Sequence, residues 1–96
     1  MALPVTATAF PHRAALGTAQ VYRRTDAAGH AAAANEVAEI QNGLAALIGT
    51  GAYVNYLDPG QRDWPRAYYG PNLRRLRTAA RRYDPDGVLQ FPQGLA

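Results

Sequence analysis

Two histidines, seven carboxylates and ten arginines are the residues of this sequence best suited to acid-base, metal or anion chemistry. His12 lies in a Pro-His-Arg corner, where it either faces a substrate or hydrogen-bonds the backbone with Arg13 as its structural companion. His30 stands at a helix start, where we expect it to be exposed. The histidines are not at ligand spacing, the carboxylates are scattered and cysteine is absent, so we expect no metal site.

The basic residues are all arginine, and five of them fall within residues 74–82. A net charge of +3 favours an anionic partner, such as nucleic acid, a cofactor phosphate or an acidic protein surface, without choosing among them. No aromatic residues interleave with these arginines to stack on bases. We therefore do not expect a nucleic-acid partner.

Three short segments have the composition of strands. Residues 5–10 and 15–24 are rich in β-branched and small residues and are closed by turn residues, which predicts two antiparallel strands. Residues 52–57 (AYVNYL) lie between glycines and Asp58-Pro59-Gly60, which predicts a central strand.

Three other segments have helical patterns. Residues 31–48 carry one apolar stripe and are followed by glycines; the stripe is Ala33, Val37, Ile40, Leu44 and Leu47. Residues 64–69 begin with Pro65 in the first turn and precede Gly70, which predicts a short helix. A third helix is predicted from Pro71 to Tyr83, followed by a turn at 84–87 and an apolar tail over 88–96.

These elements predict an α+β fold: a small antiparallel sheet of about three strands, covered by helices on one face, in a single domain over residues 1–96. The other face of such a sheet is bare, so the architecture argues for a neighbouring protein surface. No apolar run is long enough to span a bilayer and no signal peptide is evident, which predicts a cytoplasmic protein.

Three stretches carry a family resemblance. AFPHR (9–13), AYVNYLD (52–58) and YYGPNLRRL followed by YDPDGVLQFPQGL (68–95) occur in this order, and the chain resembles the berberine-bridge-enzyme-like FAD-linked oxidoreductases over nearly its whole length. The resemblance implies a C-terminal segment that ends the substrate domain and closes over the flavin, without the upstream FAD-binding domain. The sequence has no glycine-rich phosphate cradle, so we expect FAD only where a flavoprotein partner or an oligomer completes the site.

The same resemblance implies roles for particular residues. Tyr56 matches the tyrosine that serves as general base, removing a proton from a substrate hydroxyl during hydride transfer to flavin. A phenol, with an ordinary pKa near 10, accepts a proton when its phenolate is stabilised by donors or positive charge. Asn55 and Tyr53 are the candidate flavin contacts, with Asn55 on the opposite strand face from Tyr56. His12 and Gln20 are the candidate substrate contacts.

The sequence also departs from the family pattern. A glutamate used as catalytic base in plant members is matched here by about Ala19, beside Gln20, and the tryptophans common in the family's long helix are missing. A tyrosine in a central strand is, by residue type alone, most often core packing, so the role of Tyr56 depends on the resemblance.

Three functional hypotheses remain at this stage. The first is a flavin- and substrate-covering part of a FAD-linked oxidoreductase, acting on a hydroxylated small molecule with a flavoprotein partner. The second is a flavin-free, self-associating protein that binds a small molecule or converts it without redox chemistry. The third is a non-functional remnant, or a chain whose reading frame extends upstream.

Overall fold

The computed structural model describes residues 3–95, and three helices form its regular structure. They are α1 (His30–Ile48), α2 (Trp64–Tyr69) and α3 (Leu73–Tyr83), with a 3₁₀ turn at Gly70–Asn72 between the last two. The contacts divide the chain into two units: the residues up to Leu16 together with those from Gly51 onward, and Gly17–Thr50. Met1, Ala2 and Ala96, which the predicted domain and tail include, lie outside the described residues.

The predicted α+β fold with a three-stranded sheet is wrong, because no strand occurs between residues 3 and 95. The first predicted strand, 5–10, instead forms a loop that starts with a turn from the Ala7 N–H to the Pro4 carbonyl, 3.0 Å. The Asn72 side chain bonds two carbonyls of this loop, because its Nδ2 donates to the Val5 and Thr8 carbonyls at 2.9 and 3.0 Å. Because side chains satisfy these backbone carbonyls, the segment does not need the hydrogen bonds of a neighbouring strand.

The other two predicted strands are also irregular. In 52–57, the Ala52 N–H donates to the Ala67 carbonyl of α2 at 2.9 Å, and the Tyr56 N–H turns back to the Tyr53 carbonyl at 2.9 Å. Residues 15–24 are largely exposed, Leu16 and Tyr22 among them. β-Branched and aromatic composition makes a strand only when a neighbouring strand supplies the ladder, and none is present in the described part of the chain.

The predicted helices are confirmed, with two shifted starts; α1 begins at His30, one residue before the predicted start. α1 ends before Gly49, whose φ of 85° is left-handed, and α2 ends before Gly70, whose φ is 50°. α3 starts at Leu73 rather than at Pro71, because Gly70–Asn72 forms the 3₁₀ turn. No helix among the described residues is long and apolar enough to cross a membrane.

The unit Gly17–Thr50 consists of α1 and the irregular segment before it. The Asp26 carboxylate accepts the Gly29 N–H at 2.8 Å just before the helix, and Arg23 pairs with Glu36. Of the predicted apolar stripe, only Ala33 is buried, whereas Ile40 and Leu47 are exposed. The helical spacing predicted the helix correctly, but the apolar stripe does not form a core.

The other unit has its core on α2. Ala67, Tyr68 and Tyr69 are buried, as is Asn72 at the start of α3. Gly70 lets the chain turn between the two helices, and the Cβ of a residue placed there would lie 3.4 Å from the Pro11 ring. The core therefore joins α2 to the N-terminal loop and supports the 52–58 segment.

Candidate functional site

The 52–58 segment is held at its start by two hydrogen bonds in opposite directions. The Ala52 N–H donates to the Ala67 carbonyl, and the Ala52 carbonyl accepts from His12 Nε2 at 2.8 Å. This bond assigns a proton to Nε2 of the imidazole. His12 lies against Gly51, where a Cβ would be only 3.0 Å from the imidazole ring. The histidine thus fixes the start of this segment, which carries Tyr53 and Tyr56. We call residues 52–58 the tyrosine turn.

Four aromatic rings lie close together at this segment. They belong to Phe10, His12, Tyr53 and Tyr56, and we call them the aromatic cluster. Phe10 meets His12 and Tyr53 edge to face, with ring centroids 5.4 and 5.6 Å apart. Tyr53 and Tyr56 follow at 6.0 Å with tilted planes. These distances are those of favourable aromatic pairs. Tyr56 ends the row and remains 66% exposed, so its ring and hydroxyl are open to a ligand.

Asn55 lies on the same side as Tyr53, as two residues of one strand face also would. Its Nδ2 donates to the Tyr53 hydroxyl at 3.0 Å. The Tyr56 N–H donates to the Tyr53 carbonyl, so these residues form a turn rather than a strand, and the placement of Asn55 opposite Tyr56 stays a prediction. The amide and both phenols therefore belong to one turn.

Arg13 brings positive charge to the edge of the cluster. Its guanidinium carbon lies 5.4 Å from the centre of the Phe10 ring, and Nη2 donates to the Thr8 hydroxyl. The Nε of Arg13 is buried without a hydrogen-bond partner. A guanidinium beside the cluster favours anionic groups bound there.

The buried tyrosines of α2 have a different environment. Burial, and to a lesser degree the neighbouring Tyr68, raises the pKa of Tyr69 above its ordinary value of 10.0. Tyr69 is 7% exposed and belongs to the core rather than to the aromatic cluster. Its perturbed pKa therefore reflects packing.

The structure brings together four of the five predicted site residues: His12, Tyr53, Asn55 and Tyr56. Gln20 belongs to the other unit, where it is exposed. Phe10 was missed as a site residue, although it stands in the same AFPHR stretch as His12. Among the described residues, no group of three histidine or carboxylate side chains is placed to hold a metal ion.

Comparison with known proteins identifies the family. A family model described as "Berberine and berberine like" matches residues 52–96. That region contains the tyrosine turn, α2, α3 and the tail. The chain carries a segment of the berberine-bridge-enzyme-like FAD-linked oxidoreductases. The resemblance seen in the sequence is thereby confirmed.

Individual relatives agree with this assignment. The chain is 49% identical over 45 residues to an uncharacterised FAD-linked oxidoreductase, YgaK, of Bacillus subtilis, covering 47% of this chain and 10% of the relative. It is 47% identical over 36 residues to the FAD-linked oxidoreductase patO of Aspergillus clavatus, or 38% of this chain and 6% of the relative.

A carbohydrate oxidase of Microdochium nivale matches over a longer stretch. It is 31% identical over 103 aligned positions, which cover 92% of this chain and 19% of the oxidase. The chain spans about a tenth of the Bacillus relative and a fifth of this oxidase. No solved structure matches the chain.

The aromatic cluster fits one part of FAD and not another. Exposed aromatic faces next to an amide suit a flat heterocycle such as the isoalloxazine ring. A pyrophosphate needs a row of backbone N–H groups or several cations, and the sequence contains no glycine-rich motif that builds such a cradle. The residues of the aromatic cluster are thus chemically suited to the ring system and not to the pyrophosphate.

Proposed function

We propose that the chain is the flavin- and substrate-covering part of a FAD-linked oxidoreductase that oxidises a hydroxylated small molecule. A flavoprotein partner or a second copy completes the site. The observation that carries the proposal is the exposed Tyr56 at the end of the aromatic cluster, within the segment that matches the berberine-like family.

Tyr56 acts as the general base. Its phenolate oxygen takes the proton of the substrate hydroxyl, while the hydrogen on the adjacent carbon leaves with its electron pair. FAD, when bound, supplies the acceptor for that hydride. Proton removal by a positioned side chain contributes roughly a hundredfold to ten-thousandfold in rate.

The neighbouring groups orient the reactants. Tyr53 and Asn55 hold each other by their 3.0 Å hydrogen bond and offer a ring face and an amide to the flavin ring. His12 uses Nε2 for the Ala52 carbonyl, which leaves Nδ1 as the nitrogen for a polar substrate group.

The test places this chain in the oxidase from Microdochium nivale, in exchange for that relative's matching segment. We expect the exchanged protein to hold FAD, and Tyr56→Phe to lower kcat by at least about a hundredfold with unchanged FAD content. Tyr22→Phe is the matched control, because Tyr22 is also exposed but lies outside the cluster. A Tyr56→Phe rate equal to that of the control would remove Tyr56 from the mechanism.

A further inference from the structure

A closed ring of hydrogen bonds holds the end of the tyrosine turn. The Asp58 N–H donates to the Tyr68 hydroxyl at 3.1 Å, and that hydroxyl donates to Gln93 Oε1 at 2.9 Å. Gln93 Nε2 then donates to the Asp58 carbonyl at 2.7 Å, which closes the ring. Tyr68 is 1% exposed, so these bonds are made largely away from water. Both backbone polar groups of Asp58 are thereby fixed.

Gln93 adopts a backbone conformation that favours glycine. Its φ of 64° is the only positive value at a non-glycine residue among the described residues. A side chain at such a position is strained, and strain of this kind persists only where the surroundings over-determine it. The residue type that this conformation favours occurs at the next position, Gly94, whereas position 93 carries glutamine. The position therefore holds glutamine against its backbone preference, and the two bonds of the amide are what glutamine adds.

Adjacent residues of α2 pin the two ends of the tyrosine turn. The Ala67 carbonyl accepts the Ala52 N–H, and the Tyr68 hydroxyl accepts the Asp58 N–H. Between these points the chain makes the Tyr53–Tyr56 turn. A loop anchored at both ends to one buried helix retains few alternative conformations.

We propose that Tyr68 and Gln93 are positioning residues for Tyr56, acting through Asp58 to hold the tyrosine turn beside Phe10 and His12. The proposal rests on the proposed function for the importance of Tyr56 in catalysis. Neither residue need touch substrate or cofactor. Loss of the Tyr68 hydroxyl removes the acceptor of the Asp58 N–H, and loss of the Gln93 amide removes one donor to the Asp58 carbonyl, which also accepts the Gln61 N–H at 3.0 Å. Either change weakens the hold on the Asp58 end of the turn, while the Ala52 end stays bound to Ala67.

The experiment measures amide hydrogen exchange and ring-to-ring nuclear Overhauser contacts in the full chain, so it needs no turnover. Its failure is therefore distinct from a failure of the proposed function. Tyr68→Phe removes only the hydroxyl. Gln93→Gly removes the amide and also relieves the positive φ, so it keeps the test informative if Tyr68→Phe does not fold. Tyr69→Phe is the control, since the Tyr69 hydroxyl is not part of the ring of hydrogen bonds.

We expect exchange of the Asp58 N–H to rise at least about tenfold in Tyr68→Phe and Gln93→Gly, with exchange of the Ala52 N–H unchanged. The contact between the Tyr53 and Tyr56 rings should weaken in the same variants and persist in Tyr69→Phe. Exchange at Asp58 that stays as slow as in the unaltered chain would overturn the proposal. Equal acceleration at Ala52 and Asp58 would also overturn it, because it would indicate general loss of structure.

Discussion

Asn72 and Val5, which are 67 residues apart in the sequence, are joined by a hydrogen bond of 2.9 Å from Asn72 Nδ2 to the Val5 carbonyl. The same amide nitrogen donates to Thr8 at 3.0 Å, and Arg75 adds a bond of 3.3 Å to Thr6. Side chains at the start of α3 therefore hold the N-terminal loop through hydrogen bonds to the loop's carbonyls. That loop leads directly to Phe10 and His12, so these hydrogen bonds support the aromatic cluster.

Replacing Asn72 by alanine should be costly because the side chain is buried and uses both amide protons. We expect the free energy of unfolding of this unit to fall by about 2 kcal/mol, measured by denaturant titration. Asn42→Ala, at an exposed position of α1, is the control and should stay within about 0.5 kcal/mol of the unaltered chain. A loss no larger than that of the control would show that the Asn72 amide adds nothing to stability.

The raised pKa of Tyr69 predicts a loss of stability in alkali. Burial favours the neutral phenol in the folded state, so above pH 10 the unfolded chain releases this proton more readily than the folded one. The stabilisation is complete below pH 10 and is lost as pH rises through the folded-state pKa. Unfolding measured from pH 8 to 11 should show this fall, and Tyr69→Phe should make it shallower. Equal slopes in the two proteins would contradict the prediction.

Two glycine substitutions should act in opposite directions. Gly43 lies inside α1 with nothing within 4 Å of an added Cβ, so Gly43→Ala should stabilise the helix by about 1 kcal/mol. Gly70 has a φ of 50° and faces Pro11, so Gly70→Ala should destabilise the chain by about 1 kcal/mol or more. Melting temperatures provide the measurement. A stabilising Gly70→Ala would show that its left-handed conformation is not required.

The sequence predicted the helices correctly, whereas none of the three predicted strands is present in the described residues. The reason is that helices and strands depend on different kinds of hydrogen bond. Helical hydrogen bonds are local, so the stripe from Ala33 to Leu47 and the punctuation by Pro65 and Gly70 were sufficient to locate α1 and α2. A strand depends on a distant partner. In the 52–58 segment the partners are the Ala67 carbonyl and the Tyr68 hydroxyl, which composition does not reveal.

The candidate site was predicted through the family motifs rather than through secondary structure. Tyr53 and Asn55, two residues apart, share one side in a strand as well as in this turn. Tyr53 and Tyr56, three residues apart, would lie on opposite faces of a strand and meet here because of the turn. Phe10 and His12 join them because α2 and the N-terminal loop share one core. The role of Gln93 was not predictable from residue type, since its signal is a positive φ.

Flavin fluorescence titration of the chain, comparing FAD with riboflavin, tests the central claim most directly. The aromatic cluster offers ring contacts without a phosphate cradle, so both flavins should be quenched with equal, weak affinity, with a Kd above about 100 μM. Tyr56→Leu should abolish the quenching, whereas Tyr22→Leu, at another exposed tyrosine, should leave it intact. Quenching that survives Tyr56→Leu would contradict the assignment of this cluster as the flavin-facing surface.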